Sequence, residues 1–156
     1  MSDKLKNFIA ENKQQLILFN LLSDEDVELV LPYVEMKQCA KGSILFNEGD
    51  SGDYIGIIVS GKMDVKKQTE FKGGQLIIAA LKKGSFVGEM SLVNENEPRS
   101  ATVEAAEDSE LIILRRESLD ALSEKHPGIA VKILKGLNKV LAVRLRKTVE
   151  RLTSVF

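Results

Sequence analysis

The segment GSFVGEMSLVNENEPRSATVEAA, Gly84–Ala106, decides how the rest of the chain is read. Gly84-Ser85 reads as a turn and Phe86-Val87 as a short apolar strand. Gly88, lacking a Cβ, lets the backbone approach a neighbour closely. Glu89 to Val93 can form one or two helical turns, whose first N–H groups have no intrahelical acceptor. Such an end attracts an anion. Asn94-Glu95-Asn96-Glu97 is a loop that stops at Pro98, and Arg99 stands where Ser100, Thr102 and Val103 return to an extended backbone. An anion-ready turn, the Glu89 carboxylate beside it and an arginine ten residues on point to one phosphate with hydroxyls near it. A surface turn carrying a helix-terminal acid and a solvated arginine is the plainer alternative.

Upstream, Asp3 to Asn20 has helical composition, with Leu5, Phe8, Ile9 and Leu16 spaced as a stripe and Ser2 able to cap. Ser23-Asp24-Glu25-Asp26 starts a second helix, Asp24–Leu31, that stops at Pro32. From Val34 the period changes to two. Val34, Met36, Gln38 and Ala40 begin an extended run, and Ile44 to Phe46 form a strand after Gly42. Tyr54 to Val59 is an apolar strand, turned at Gly61 into Met63 to Lys67. Phe71-Lys72-Gly73-Gly74 turns into a strand from Gln75 to Leu81, predicted to be buried. Further strands fall near Ser100–Glu104 and Glu110–Leu114. Short strands with glycine turns at this spacing predict a small β-barrel or jelly roll.

Downstream, Glu117–Lys125 is a short helix, and Pro127 suits the first turn of a long one from about Ile129 to Leu152. One seam of that helix alternates threes and fours: Val131, Leu134, Asn138, Leu141, Leu145, Thr148, Leu152, Val155. This is a coiled-coil period, and Asn138 within it is a register device. Ile133, Leu137 and Val140 form a second face that can lie on the barrel. Two apolar faces suggest that one meets a second copy; a single broad core stripe is the alternative.

The chain has 156 residues, a net charge of -1 and 29% charged residues. These values suit one soluble domain and give no general pull toward nucleic acid or anionic lipid. Cys39 is the only cysteine, which leaves no internal disulfide and suits a reducing cytoplasm. The polar N-terminus does not resemble a signal peptide, and no apolar run approaches transmembrane length.

Phe86, Gly88, Glu89, Met90, Ser91, Leu92, Arg99, Ser100 and Ala101 together fit F-(x)-G-E-[LM]-[ASG]-L-x(4–6)-R-[STA]-A. This resembles the phosphate-binding cassette of the cyclic-nucleotide-binding domain family, which includes catabolite-activator-like proteins and the regulatory subunits of protein kinase A. The resemblance runs from about Leu18 to the C-terminus and takes in Gly42, Glu48-Gly49-Asp50, Asp53-Tyr54 and Ser60-Gly61. It implies a mainly β fold: a β jelly roll, the double-stranded β-helix, with N-terminal helices and a long C-terminal helix. The expected division is a helical lead-in at 1–20, the jelly roll at 21–126, and a helix for lid and dimerisation at 127–156. It also implies a cyclic-nucleotide site at Gly88, Glu89, Met90, Ser91, Arg99, Ser100 and Ala101. There Arg99 would pair with the cyclic phosphate and Glu89 would accept the ribose 2′-hydroxyl. The N–H groups of Met90 and Ser91 would approach the phosphate or sugar.

The base would sit against Ile78, Leu81 and Val87, with Arg144 and Leu145 of the long helix where the family places its base-recognising hydroxyl residues. That departure, and Ser100 in place of alanine, leave cyclic AMP and cyclic GMP both open, with cyclic AMP favoured. The expected function is a cytoplasmic regulatory sensor, dimeric through the last helix, acting on a downstream partner. The alternatives are a ligand-free scaffold of the same fold and a dimer that binds DNA through the basic helix (Lys132, Lys135, Lys139, Arg144, Arg146, Lys147, Arg151). The chain ends at Phe156, so the helix-turn-helix of catabolite-activator-like proteins is not expected to follow.

Other constellations lead elsewhere. Gly56 to Met63 nearly spells a P-loop, but Met63 replaces the magnesium-binding hydroxyl and the middle is a strand. Glu48, Asp50 and Asp53 lack the ligand order of a calcium loop. His126 is the only histidine and lies far from Cys39, which argues against a metal cluster or a histidine triad. No catalytic residues, metal or cofactor are expected, and neither a membrane nor nucleic acid is favoured as a partner.

Overall fold

Two strands with continuous apolar runs form the centre. In the computed structural model, which describes residues 2–71, 73–92 and 94–156, the chain runs through α1 (Ser2–Asn12), α2 (Asp24–Val30), β1 (Val34–Cys39), β2 (Ile44–Phe46) and β3 (Tyr54–Ser60). It continues through β4 (Lys62–Gln68), β5 (Gln75–Lys82), β6 (Phe86–Val87), β7 (Thr102–Ala105) and β8 (Ser109–Arg115), and ends with α3 (Arg116–Lys125) and α4 (Pro127–Thr153). The side chain of Ser2, Lys72 of the expected turn and Val93 of the expected helical turn lie outside the described residues. The strands form two antiparallel four-stranded sheets, β1-β8-β3-β6 and β2-β7-β4-β5, which pack as a jelly roll.

β3 and β8 are buried on both faces, so their sequences read as unbroken apolar runs. Ile58, Leu111 and Ile113 point into the barrel with Leu45, Phe46, Met63, Val87 and Val103. The alternate residues Ile55, Ile57, Val59, Ile112 and Leu114 face a helical layer from both ends of the chain. That layer includes Ile9, Leu16, Phe19 and Val27 from the first segments and Leu122, Ile129, Ile133 and Val140 from the last. α4 therefore lies on the barrel by the face expected of it. Its other seam stays exposed, with Leu134, Leu141, Leu145 and Leu152 all accessible.

Two expectations are corrected. β5 is not buried: Leu76, Ile77 and Ile78 are 61%, 60% and 54% exposed. Among the described residues it pairs only with β4, at the edge of its sheet. The first helix ends at Asn12 and does not reach Asn20. Asn12 turns its side-chain amide back to the Phe8 carbonyl at 2.9 Å. Leu16, Leu18 and Phe19 are then buried from a series of turns, since three residues so spaced cannot share one helix stripe. α2 begins as expected, with reciprocal bonds between Ser23 and Asp26. A 3-10 turn, Leu31–Tyr33, follows through Pro32. No helix among the described residues is long and apolar enough to cross a membrane.

Candidate functional site: an arginine cradle facing a carboxylate

The site begins with the backbone that carries Arg99. Ser51 bridges Pro98, the Arg99 N–H donates to the Asp50 carbonyl at 2.7 Å, and the Arg99 carbonyl accepts from Gly49 at 2.8 Å. This pairing sets Gly52 against the Arg99 side chain. A Cβ at Gly52 would stand 2.5 Å from Arg99 Cζ, so only glycine leaves room. Gly88, at φ 82°, makes a similar allowance: its missing Cβ would collide with Arg99 Nη1 and come 3.0 Å from the Tyr54 carbonyl. The guanidinium lies 4.0 Å from the Phe46 ring centroid and 4.5 Å from that of Tyr54.

Arg99 is only 4% exposed, an unusual place for a cation without a carboxylate partner. Nη1 donates to the Tyr54 carbonyl (2.9 Å), the Ser91 hydroxyl (3.2 Å) and the Gly88 carbonyl (3.3 Å). Among the described residues, Nε is buried without an acceptor, and all the hydrogen bonds of the guanidinium come from Nη1. No carboxylate comes within ion-pair distance of the group among those residues. Burial lowers the Arg99 pKa, while Tyr54, Asp53, Asp50 and Glu89 act to raise it. The same burial raises the Tyr54 phenol. An unclaimed guanidinium edge in a low-dielectric pocket is suited to an incoming anion.

The turn after Gly88 is a single 3-10 turn, Glu89–Leu92. It is too short to carry a helix dipole of consequence. What it offers is backbone geometry. The Ser91 N–H is bound to the Gly88 carbonyl at 3.2 Å, and the buried Ser91 hydroxyl lies 2.7 Å from that carbonyl and 2.9 Å from that of Tyr54. Ser91 therefore braces the turn and does not present a free N–H. The Met90 N–H has no acceptor among the described residues, while its side chain is exposed. Glu89 Oε1 accepts from Arg144 Nη1 of α4 at 3.2 Å. Arg144 Nη2 donates to the Phe86 carbonyl at 2.7 Å, with its guanidinium 4.4 Å from the Phe86 ring centroid.

One cavity of about 710 Å³ joins these parts. It is lined by Gly88, Glu89, Met90, Ser91, Arg99, Ser100 and Ala101, and by Ile78, Leu81, Val87 and Arg144, so with one exception the residues assigned to the site from sequence border the same space. Leu145, aligned beside Arg144, does not line it; its side chain is on the exposed seam of α4. Ser100 is exposed, and its carbonyl accepts from Lys67 at 2.6 Å. Sequence reasoning missed the cradle itself. Phe46, Gly52 and Tyr54 carry no local signal for it, because they reach Arg99 only through tertiary pairing. It also missed Val143, Lys147 and Thr148, which line the cavity from α4.

Comparison with known proteins agrees with this architecture. The cyclic AMP receptor protein of Thermus thermophilus is 38% identical over 130 residues, 83% of this chain and 57% of that protein. Lysophospholipase NTE1 of Chaetomium globosum is 30% identical over 117 residues, which are 75% of this chain but 7% of the enzyme. The chain thus spans little more than half of the first relative and a small fraction of the second. Among solved structures, a cyclic nucleotide-binding domain from Methylobacillus flagellatus KT superimposes with a TM-score of 0.86 at 30% identity, covering 99% of this chain and 86% of that one. The regulatory domain of Toxoplasma gondii PKA with cAMP gives 0.62 at 28% identity, covering 77% and 43%. Residues 36–126 match the family profile described as the cyclic nucleotide-binding domain, more than half of the chain, and the protein belongs to that family.

Proposed function

We propose that the chain is a regulatory sensor that binds cyclic AMP in preference to cyclic GMP and transmits occupancy through α4. Arg99 takes the cyclic phosphate on its free guanidinium edge. Glu89 accepts the ribose 2′-hydroxyl, the Met90 N–H and the Ser100-Ala101 backbone complete the polar contacts, and the base lies against Ile78, Leu81 and Val87. The observation that carries the reading is the buried Arg99, whose Nε lacks an acceptor among the described residues and which borders the same cavity as Glu89. A buried cation with an unfilled donor is costly to maintain, and a phosphate removes that cost. The preference for cyclic AMP is supported by relatives named as a cyclic AMP receptor protein and a kinase regulatory domain with cAMP.

α4 supplies one wall of the cavity, so ligand can bias its pose, to the extent that the ligand's affinity differs between poses. Its exposed seam is the proposed homodimer contact, and 127–156 the lid and dimerisation segment. The buried, unpaired Cys39 suits a reducing cytoplasm.

A thermal-shift panel with cyclic AMP, cyclic GMP and cyclic dinucleotides tests the reading. Ligand at a hundred times Kd stabilises by about 2.7 kcal/mol, roughly 5–10 °C for a domain of this size. The expected order is cyclic AMP above cyclic GMP, and no shift with any of them rejects the function. Amide exchange along α4, with and without cyclic AMP, tests the coupling: unchanged protection rejects it.

A further inference from the structure

We propose that Arg116, at the start of α3, is a positioning residue that couples the cassette turn to the C-terminal helices: it grips the far end of the turn and passes its displacement to α3 and α4. The inference rests on the sensor reading above and supplies the link between an occupied site and α4. Arg115 and Arg116 stand at the N-cap and first position of α3, where the helix end is positive and a cation is unfavourable. Both side chains are held by partners outside the helix. Arg115 pairs with Glu35 at 2.8 Å and lies 3.5 Å from Asp53. Arg116 turns back to the cassette, where Nη1 donates to the Ser91 carbonyl at 3.3 Å and the Asn94 carbonyl at 3.2 Å. These carbonyls lie at the C-terminal end of the Glu89–Leu92 turn and just beyond it, a place that favours a cation.

Ser91 joins this contact to Arg99. Its hydroxyl accepts from Arg99 Nη1 at 3.2 Å, while its carbonyl accepts from Arg116. A second tie lies one residue apart in β3 and the turn before it: Arg99 Nη1 binds the Tyr54 carbonyl at 2.9 Å, and the Arg116 N–H binds the Asp53 carbonyl at 2.7 Å. Both side-chain bonds of Arg116 run to backbone carbonyls, so the contact follows the chain and not a side-chain rotamer. Among the described residues Arg116 is not part of the cavity wall. Beyond it, His126 alone separates α3 from α4. The His126 N–H donates to the Leu122 carbonyl at 2.7 Å, and the His126 carbonyl accepts from Ala130 at 3.2 Å. Leu119 and Leu122 of α3 share one core with Ile129 and Ile133 of α4. A shift at the start of α3 therefore carries to the helix that walls the cavity.

The test measures cyclic AMP affinity by calorimetry, and amide exchange along α4 with and without cyclic AMP, on the wild type, Arg116→Met and Arg116→Lys. In the wild type the ligand should change α4 protection about 5- to 150-fold, the usual range of coupling between sites. In Arg116→Met that change should fall below about twofold. Affinity gives the sign. Shifting α4 draws on the free energy of binding, so a protein freed of the link should bind cyclic AMP as tightly as the wild type or more tightly. Removing a residue that merely shaped the site would weaken binding. Arg116→Lys should keep the response, because a single nitrogen holds both carbonyls and a planar fork is not required. Circular dichroism confirms folding, and Arg116→Leu carries the test if the methionine variant does not fold. A methionine variant that keeps the α4 response, or that binds cyclic AMP more than about threefold weaker than the wild type, overturns the inference while leaving the sensor reading intact. A lysine variant as silent as the methionine one also overturns it. If wild-type α4 does not respond to bound cyclic AMP, the coupling itself fails and the inference falls with it. If the wild type binds no cyclic AMP, the proposed function fails.

Discussion

Replacing Gly52 by alanine places a methyl group where the Arg99 guanidinium now lies. Its carbon would stand 2.5 Å from Cζ and 2.8 Å from Cδ. Relaxed carbon contacts need about 3.5–4.0 Å, so the side chain must withdraw by about 1 Å or leave its cradle. The Gly52 backbone is outside the left-handed region, and the perturbation is steric alone. Withdrawal breaks the Nη1 bonds at 2.9, 3.2 and 3.3 Å and the stacking on Phe46 and Tyr54. Stability should change by no more than about 1 kcal/mol, because a cation released from burial regains hydration as it loses those contacts. Binding should suffer far more. A phosphate that no longer meets a positioned guanidinium loses about 2–4 kcal/mol, roughly 30- to 700-fold in Kd. Calorimetry with cyclic AMP, paired with thermal unfolding of the free protein, measures both quantities. Gly128→Ala is the control: a Cβ there meets nothing within 4 Å, and the position is helical. Its cyclic AMP affinity should match the wild type. A Gly52→Ala protein that binds cyclic AMP within about threefold of the wild type would refute the cradle, given a detectable error of about 0.6 kcal/mol.

Other consequences can be checked with the same material. Tyr54→Leu keeps the backbone carbonyl bonded to Arg99 Nη1 but removes one ring from the guanidinium, and should weaken cyclic AMP binding about 3- to 30-fold by calorimetry. Leu141→Asp with Leu145→Asp alters a seam exposed by 37% and 66% at those positions. Sedimentation should show at least a hundredfold weaker dimer, since each leucine buried against a twin is worth about 1.5–3 kcal/mol; a variant that stays dimeric excludes the seam. Asp26 has its pKa lowered, first by its hydrogen bond from Lys132 at 2.6 Å and then by Ser23. A depressed carboxylate contributes stability that is fully present above its unfolded pKa of about 3.9 and lost as pH falls through the folded value. Asp26→Asn should therefore be less stable than the wild type at pH 7, by about 1 kcal/mol, and denaturant unfolding should show that gap closing below about pH 4.

The elements that could be read locally were those whose environment is set by their own pattern. β3 and β8 announce burial on both faces by unbroken apolar runs, and the Ser23–Asp26 capping box announces α2. β5 has much the same composition as β3 yet is exposed, because its place at the sheet edge is decided by which strand lies beyond it. No window of sequence holds that information. The same division runs through the site. Glu89 to Ala101 is one contiguous segment and was legible as a unit. The cradle of Arg99 assembles Phe46, Gly52 and Tyr54 from another part of the barrel, and the partner of Glu89 comes from α4. Arg144 could be placed near the cavity by alignment, but its contact depends on how α4 docks, which Ile133 and Val140 decide through the core.

The turn from Phe86 to Ser91 is held from two sides by two arginines. Arg99 binds the Gly88 carbonyl and the Ser91 hydroxyl from within the barrel, and Arg144 binds the Phe86 carbonyl and Glu89 from the helix. A ligand that engages Arg99 and Glu89 together therefore acts on both supports of one short backbone segment. The size of the response follows from what those contacts can supply. Coupling between sites is typically about 1–3 kcal/mol, a 5- to 150-fold change. Converting a helix from one pose to another almost completely, from 1:99 to 99:1, takes about 5.5 kcal/mol. One half-buried ion pair cannot provide that, so an isolated chain should respond by a partial shift of α4. A full transition requires two sites acting on a shared element. The exposed seam of α4 offers such an element, because helices paired along it would have to change pose together. Steepness of the response should then depend on protein concentration, and a monomeric seam variant should bind cyclic AMP while losing that steepness.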